Sequence, residues 1–310
     1  MRIRIAKPVA YFEFHKNNPN PFFYSDVEKF YDSLPSILDD MNIAYDILYI
    51  KKHARRIYQK ENSIYLAWHN HGTLPNIWHI QAGYMPNYLY FDKNGFGPWS
   101  EIVDECNYSV PVEDVREDVE TFCSNYITNN ISRIPQPVEA VLPDEPYVLV
   151  LGQRPDDVVT KFSHIDTMSL AHVVTEAYKG TKYNVCTKGH PLEPTMVYGP
   201  PDAIQITGNL HKCIANASAV YTVNSSSGFE GLMHGKRVFT TGRSDYHWAT
   251  TELKTVKAIK DSVELLDEPI DNDNRIQFLH YMFNHFFMNI NDTKSIQTKI
   301  LRAVAEYEQQ

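Results

Sequence analysis

"VNSSSGFEGLMHGKRVFTTG", residues 223–242, decides how the second half of the chain is read. An apolar stretch, 219–224, reads as a strand and ends in Ser225, Ser226, Ser227 and Gly228. A short helix is expected over 228–234 and another strand over 237–241. Strand, serine–glycine loop, helix, strand is a repeating piece of a parallel α/β sheet. The first amides of a helix lack intrahelical partners and carry partial positive charge. Small hydroxyl residues and Gly let an anion come close to them. Ser227 to Glu230 also fits Ser-x-x-Glu, a capping box that explains the same residues without any ligand. The loop lacks the Gly-Lys-Ser/Thr ending of a Walker loop and the G-x-S-x-G of a hydrolase elbow.

The flanking sequence repeats the alternation. Strands are expected over 147–151 and 183–187, a helix from Asp166 or Thr167 to about Tyr178, and a short helix over 209–217. Three unusual loops follow strands: GQRPDD (152–157), KGHP (188–191) and the serine loop. In parallel sheets ligands sit beyond the carboxyl ends of the strands, so these loops should converge on one edge. Lys188 and His190 can donate to phosphate or carboxylate oxygens, and Pro191 would fix the turn. Asp156 and Asp157, beside Gln153 and Arg154, are of the type that serves as nucleophile or general base. Each loop also reads as an ordinary capped turn or strand end.

The first half is less regular. Strands are expected over 9–14, 45–50 and 63–68. Ser25-Asp-Val-Glu28 reads as a capping box opening a helix with Phe30, Leu34 and Ile37 on one stripe. Residues 83–101 look loop-rich, and 113–130 helical. Pro135, Pro137, Pro143 and Pro146 cannot lie within one helix or a central strand, which places a domain boundary there. The expected division is 1–140 and 141–310, the latter ending in C-terminal helices.

Composition sets outer bounds. The 310 residues include 43% hydrophobic and 22% charged side chains, a globular balance with room for two domains. A formal charge of -9 argues against general nucleic-acid binding, which needs broad basic surfaces. A few local cations can still hold an anionic small ligand. Cys106, Cys123, Cys186 and Cys213 show no C-x-x-C spacing and read as reduced thiols. The apolar part of MRIRIAKPVAYFEF is too short for a signal peptide, and no stretch has the length of a membrane span. The expectation is a soluble cytoplasmic protein.

Taken in order, GQRPDD (152–157), KGHP (188–191), SSSGFEGLMHGKRV (225–238) and GRSDYHW (242–248) resemble the bacterial capsule polysaccharide biosynthesis family. Members of that family include retaining β-Kdo glycosyltransferases that use CMP-Kdo. The resemblance spans roughly 150–250, with a looser echo in the GYMP and FDKNG region. It implies an α/β, GT-B-like architecture: two Rossmann-like domains with a cleft between them, the donor held mainly by the C-terminal one. It implies an aspartate nucleophile, Asp157 favoured over Asp156. It also implies donor binding by Gln153, Lys188, His190, Pro191, Ser225, Ser226, Ser227 and Gly228, with Glu230 accepting from ribose hydroxyls if it does not cap the helix. The implied partners are a CMP-sugar donor, which is a substrate and not a cofactor, and a glycan or glycolipid acceptor. Gly189, Arg154-Pro155, Asp245 and His247 depart from the usual pattern, at positions where the donor sugar could differ. A UDP-sugar transferase or epimerase, and a non-catalytic glycan- or nucleotide-binding module, stay open on the residues alone.

Other clusters read more plainly. His69, His71 and His79 come without a recognised set of further ligands, so no metal site is expected. Asp271-Asn-Asp-Asn274 lacks the Gly and distal Glu of a calcium loop and reads as a turn. The aromatics over 278–287 read as core. Peripheral membrane association there stays open, with too few flanking Lys and Arg to favour it. Lys236 is expected to be solvated at its strand entry.

Overall fold

A computed structural model describes residues 1–9, 12, 22–50, 62–68, 72, 76–193 and 195–309. The chain forms two compact units, Met1–Cys106 with Met282–Gln310, and Asn107–Tyr281.

The first unit has a six-stranded sheet. β1 (Arg2–Lys7) pairs in parallel with β2 (Tyr45–Tyr49) and β3 (Ser63–Trp68), and β3 with β4 (Ile77–Ala82). β5 (Tyr88–Asp92) and β13 (Met288–Asn289) run antiparallel at the other edge. Alternate residues Ile3, Ile5, Ile64 and Leu66 share one face, as the two-residue period of a strand requires. Against them lie Val27, Phe30, Tyr31, Leu34 and Leu38 of α1 (Phe22–Asp40), together with Ile296, Ile300 and Ala303 of the C-terminal helix, Thr293–Glu308. The expected Phe30/Leu34/Ile37 stripe is therefore the core face.

Two local expectations differ. The helix begins at Phe22, so Ser25 lies within it and does not cap it. Asp26 instead accepts from the Asn87 amide (2.6 Å) and holds the β4–β5 turn. The first strand is Arg2–Lys7, and most of 9–14 lies outside the described residues, as do His69 and His71.

The second unit carries a seven-stranded sheet in the order β12-β11-β10-β7-β8-β9-β6. Six strands are parallel: β7 (Tyr147–Leu151), β8 (Asn184–Lys188), β9 (Ile204–Gly208), β10 (Ala217–Thr222), β11 (Arg237–Thr240) and β12 (Thr251–Glu252). β6 (Ala140–Val141) adds antiparallel to β9. One face is packed by α3 (Thr167–Tyr178), through Leu170, Ala171, Val174 and Tyr178, and by Ile259 of α6 (Val256–Asp261). Asp166 caps α3, accepting from the Ser169 amide at 3.0 Å.

The units part at 106/107 and 281/282, whereas the sequence reading placed its boundary at 140/141. The reason is packing. α2 (Val112–Thr128) buries Val115, Val119, Cys123 and Tyr126 in the second unit, where Arg116 pairs with Asp273 of α7 (Asn272–Tyr281). The proline-rich stretch is strapped along the same unit. Asn209 Nδ2 donates to Asn130 Oδ1 and to the Pro137 carbonyl, both at 2.7 Å, and β6 closes the sheet edge. The two-residue β6 lies between Pro137 and Pro143 and holds no proline, so none of the cluster removes a ladder hydrogen bond. The aromatic run divides too: Phe278 meets Tyr108 in the second unit, while Phe286 and Phe287 meet Tyr90 in the first.

Candidate active site

β7, β8, β10 and β11 run in parallel, so their C-terminal loops share one edge of the second sheet. Direct bonds then fix the loops to each other. Gln153 is buried, and its Nε2 donates to Asn224 Oδ1 (2.9 Å) while the Asn224 amide donates to Gln153 Oε1 (3.3 Å). Gly152 N donates to the Lys188 carbonyl (2.8 Å). A Cβ on Gly152 would stand 2.9 Å from that oxygen and from the Tyr198 ring, so only Gly allows the approach. Tyr198 donates to the Gln153 carbonyl (3.3 Å). Asn224 Nδ2 also reaches the Val159 (2.8 Å) and Arg243 (3.2 Å) carbonyls, tying in the loop after β11. Gln153 is thus an anchor between loops.

The serine loop opens α5 (Ser226–Met233), two residues earlier than expected. Ser225 is its cap, accepting from the Ser227 amide at 3.3 Å. The Ser227–Glu230 capping box does not form. Ser226 and Ser227 remain half-exposed in the first turn, where the amides and helix dipole favour an anion. Gly228 is dictated by packing: a Cβ would lie 2.6 Å from the Tyr246 hydroxyl, which donates to the Ser225 carbonyl (2.6 Å).

Glu230 is buried within α5. Ser132 donates to its Oε1 (2.9 Å), and Oε2 has no hydrogen-bond partner among the described residues. Burial pushes this carboxyl up to about 8, opposed by the Ser132 bond and by nearby Lys188 and Arg133. Of the two roles left open for Glu230, capping is therefore not used. Lys188, half-buried at the end of β8, is lowered by burial, with Cys213 and Glu230 opposing.

His190 Nδ1 accepts from the Leu192 amide (3.2 Å), which leaves the neutral ring's proton on Nε2. Burial and then Arg154 push His190 down to about 4, with Asp157 opposing and Arg133 and Lys188 adding smaller effects. His190 is thus a neutral donor near pH 7. Pro191 follows it in a turn closed by Glu193 N on the His190 carbonyl (2.9 Å). The two aspartates differ. Asp156 is exposed and pairs with Arg154 (2.8 Å), which also faces Glu193 (3.4 Å). Asp157 is exposed, caps the short turn Val158–Phe162 through Val159 N (3.3 Å), and lies within electrostatic reach of His190.

Sequence reasoning missed Ser132, Arg133, Tyr198 and Asn224. Asn224 alone left a signal, a polar side chain between an apolar strand and the serines. Lys236 lies apart, donating to the Ala215 carbonyl (2.7 Å). His79 is buried on β4 with Nε2 at 3.0 Å from the Gly72 carbonyl. Asp271 accepts from Asn274 N (3.0 Å) at the start of α7. Cys106, Cys123, Cys186 and Cys213 are free thiols. Among the described residues, no three His, Cys, Asp or Glu are grouped to hold a metal ion, and no helix is long and apolar enough to cross a membrane.

Known proteins agree with this architecture. The family described as "Capsule polysaccharide biosynthesis protein" matches residues 202–291, which include the serine loop and the segment after β11. The resemblance carried by those motifs is thereby borne out. The solved structure of Thermosulfurimonas dismutans KpsC, beta Kdo 2,4 transferase, is similar at 16% identity over 90% of each chain, with a TM-score of 0.56. The same organism's KpsC, beta Kdo 2,7 transferase, is 17% identical over 80% of this chain and 86% of that one, with a TM-score of 0.45. A glycosyltransferase from Rickettsia africae is 10% identical over 96% and 97%, with a TM-score of 0.41. No curated protein matches the chain in sequence. Two parallel-dominated sheets, each carrying helices, make this a GT-B-type glycosyltransferase fold, as expected.

Proposed function

We propose that the protein is a retaining glycosyltransferase that moves a sugar acid, Kdo or similar, from a CMP donor to a glycan or glycolipid of a capsule-type polysaccharide. The reading rests on one observation above the others. The GQRPDD, KGHP and serine loops meet on one sheet edge, fixed through Gly152, Gln153 and Asn224, and between them carry an exposed carboxylate, a half-buried histidine and a helix N-terminus. The family match over 202–291 and the KpsC-like fold support it.

The donor's phosphate would lie at the first turn of α5, with Lys188 supplying charge and His190 Nε2–H a neutral hydrogen bond. Asp157 is the better nucleophile, because Asp156 is already engaged by Arg154. A carboxylate oxygen of Asp157 attacks the anomeric carbon as its bond to the phosphate oxygen breaks, and CMP leaves with that electron pair. The acceptor hydroxyl oxygen then attacks the same carbon, the Asp157 carboxylate leaves with its bonding pair, and the hydroxyl proton passes to solvent. Two inversions retain the configuration, the logic of carboxylate nucleophiles in retaining glycosidases.

The test is intact-mass analysis after incubation with CMP-Kdo. A covalent glycosyl adduct on the wild-type chain, absent from Asp157→Asn, is the expected result. Stabilisation against heating by UDP or GDP but not CMP would discard the donor.

A further inference from the structure

The GQRPDD loop and the KGHP turn are tied to each other twice. At their base the tie is backbone, Gly152 N donating to the Lys188 carbonyl (2.8 Å). Further out, Asp157 N donates to the Arg154 carbonyl (3.2 Å), and the Arg154 side chain crosses to the other loop. Its Nη2 donates to Asp156 (2.8 Å), and its Nε lies 3.4 Å from Glu193 Oε1. Glu193 closes the turn that starts at His190. The Glu193 amide donates to the His190 carbonyl (2.9 Å), and the Leu192 amide to His190 Nδ1 (3.2 Å). One guanidinium thus joins the loop that carries Asp157 to the turn that carries His190. Arg154 Nε makes no hydrogen bond among the described residues, so Glu193 is held by charge and not by a directed bond. The side chains are 36% and 40% exposed, and an ion pair so placed adds little to stability. What it does fix is where the tip of one loop stands relative to the other.

We infer that Arg154 is a positioning residue, a clasp that acts through Glu193 to hold the His190 turn beside the Asp157 loop when the donor binds. This rests on the donor reading proposed above, in which His190 Nε2–H bonds the donor's phosphate. A bond made equally to the bound donor and to the transition state sets KM and leaves kcat alone. The clasp has a signature that a direct contact lacks. Glu193→Gln keeps the guanidinium and removes a negative charge beside an anionic substrate. By charge alone that substitution tightens donor binding, whereas loss of the clasp loosens it. The same guanidinium, second to burial, keeps His190 neutral.

The experiment takes two readouts on wild type, Arg154→Gln, Glu193→Gln, the double variant and Arg154→Lys. Amide exchange on the ligand-free protein, followed by NMR, reads Leu192 and Glu193, whose amides His190 holds. Each single substitution to Gln should speed it about 2- to 5-fold, the worth of an exposed ion pair. The double variant should go no further, because the two residues act as one unit. CMP release from CMP-Kdo should show KM raised by the same factor, with kcat within about twofold. Arg154→Lys should restore both readouts, since a charge suffices. Unchanged exchange in both single variants would overturn the clasp. So would a KM raised by Arg154→Gln but lowered by Glu193→Gln, which would assign Arg154 to the donor itself. Both outcomes leave the donor reading standing. If wild type releases no CMP from CMP-Kdo, the donor reading falls and takes His190's part in it, while the exchange rates still decide whether Arg154 holds the turn.

Discussion

Two buried carboxyls, one in each compact unit, are held in opposite ways. Asp92, at the end of β5, accepts from Asn94 N (2.7 Å), Gly95 N (2.9 Å), Ser100 Oγ (2.5 Å) and Glu101 N (3.1 Å). Four donors of the following turn point at it. Burial, then Glu101, still raise it to about 6, against those bonds. Among the described residues Glu230 has one donor and a bare oxygen, and burial takes it higher, to about 8. A saturated polar network fixes a fold, while an unsatisfied buried group costs stability and calls for another reason to be kept. Asp92 builds its loop. Glu230 stands where the second sheet's loops meet.

If that contrast is right, groups at the sheet edge carry activity without stability, and Asp92 does the reverse. The largest expected effect is on turnover. Asp157→Asn should slow CMP release from CMP-Kdo by at least about 10³-fold, the scale of losing a nucleophile. Being exposed, it should shift stability by no more than about 0.5 kcal/mol. Asp156→Asn should retain most of the rate. The reverse pattern would make Asp156 the nucleophile. Next comes Asp92→Ala, which strands several donors of one turn and should cost about 2–4 kcal/mol in urea unfolding. CMP affinity measured on the folded protein should not change. A stable Asp92→Ala with weakened CMP binding would erase the distinction between the two carboxyls.

The second sheet was legible because its strands are short apolar runs between turn-forming residues. The expected spans over 147–151 and 237–241 fall within a residue of the observed strands. The shared edge of the three loops followed from parallel topology alone. What did not show was long-range. Nothing local says that 293–308 fills the first unit's core, because an amphipathic helix does not name its partner. The proline cluster read as a linker because proline marks irregular chain; only the Asn209 and β9 contacts show it as a sheet edge. Ser132 and Arg133 were invisible for the same reason. At Ser227–Glu230 the capping pattern was present, but Ser225 took the cap and a buried serine 98 residues away took the glutamate.

A smaller effect separates Glu230's burial from its charge. Its folded pKa is raised, so the native state holds a proton that the unfolded chain releases above its ordinary pKa of 4.5. That contribution is full below 4.5 and is lost as pH rises through about 8. Glu230→Gln keeps the shape and removes the titration. Its urea midpoint should fall less than that of wild type between pH 5 and pH 8. Parallel curves would show that Glu230 is ionised in the folded protein and paired.

The smallest effect concerns the neighbouring histidines, and it runs the other way. His211 Nε2 faces the Ile131 carbonyl (2.7 Å), so that nitrogen carries the proton and Nδ1 is left to accept from His234 Nε2 (2.9 Å). A second proton on His211 would set two donors face to face. Burial, then His211 and Lys236, hold His234 down to about 3, and burial lowers His211. Both groups are neutral in the native state and charge on unfolding at mild acidity. Their stabilisation is complete above the ordinary histidine pKa of 6.5 and drains away as pH falls toward about 3. His234→Gln gives up one neutral hydrogen bond, about 1 kcal/mol at pH 7.5. Between pH 7 and pH 5 it should lose less than wild type, so the two urea midpoints converge. If the variant falls as steeply as wild type over that interval, the acid sensitivity of this unit lies in groups other than the pair that joins α4 (Leu210–Asn216) to the end of α5.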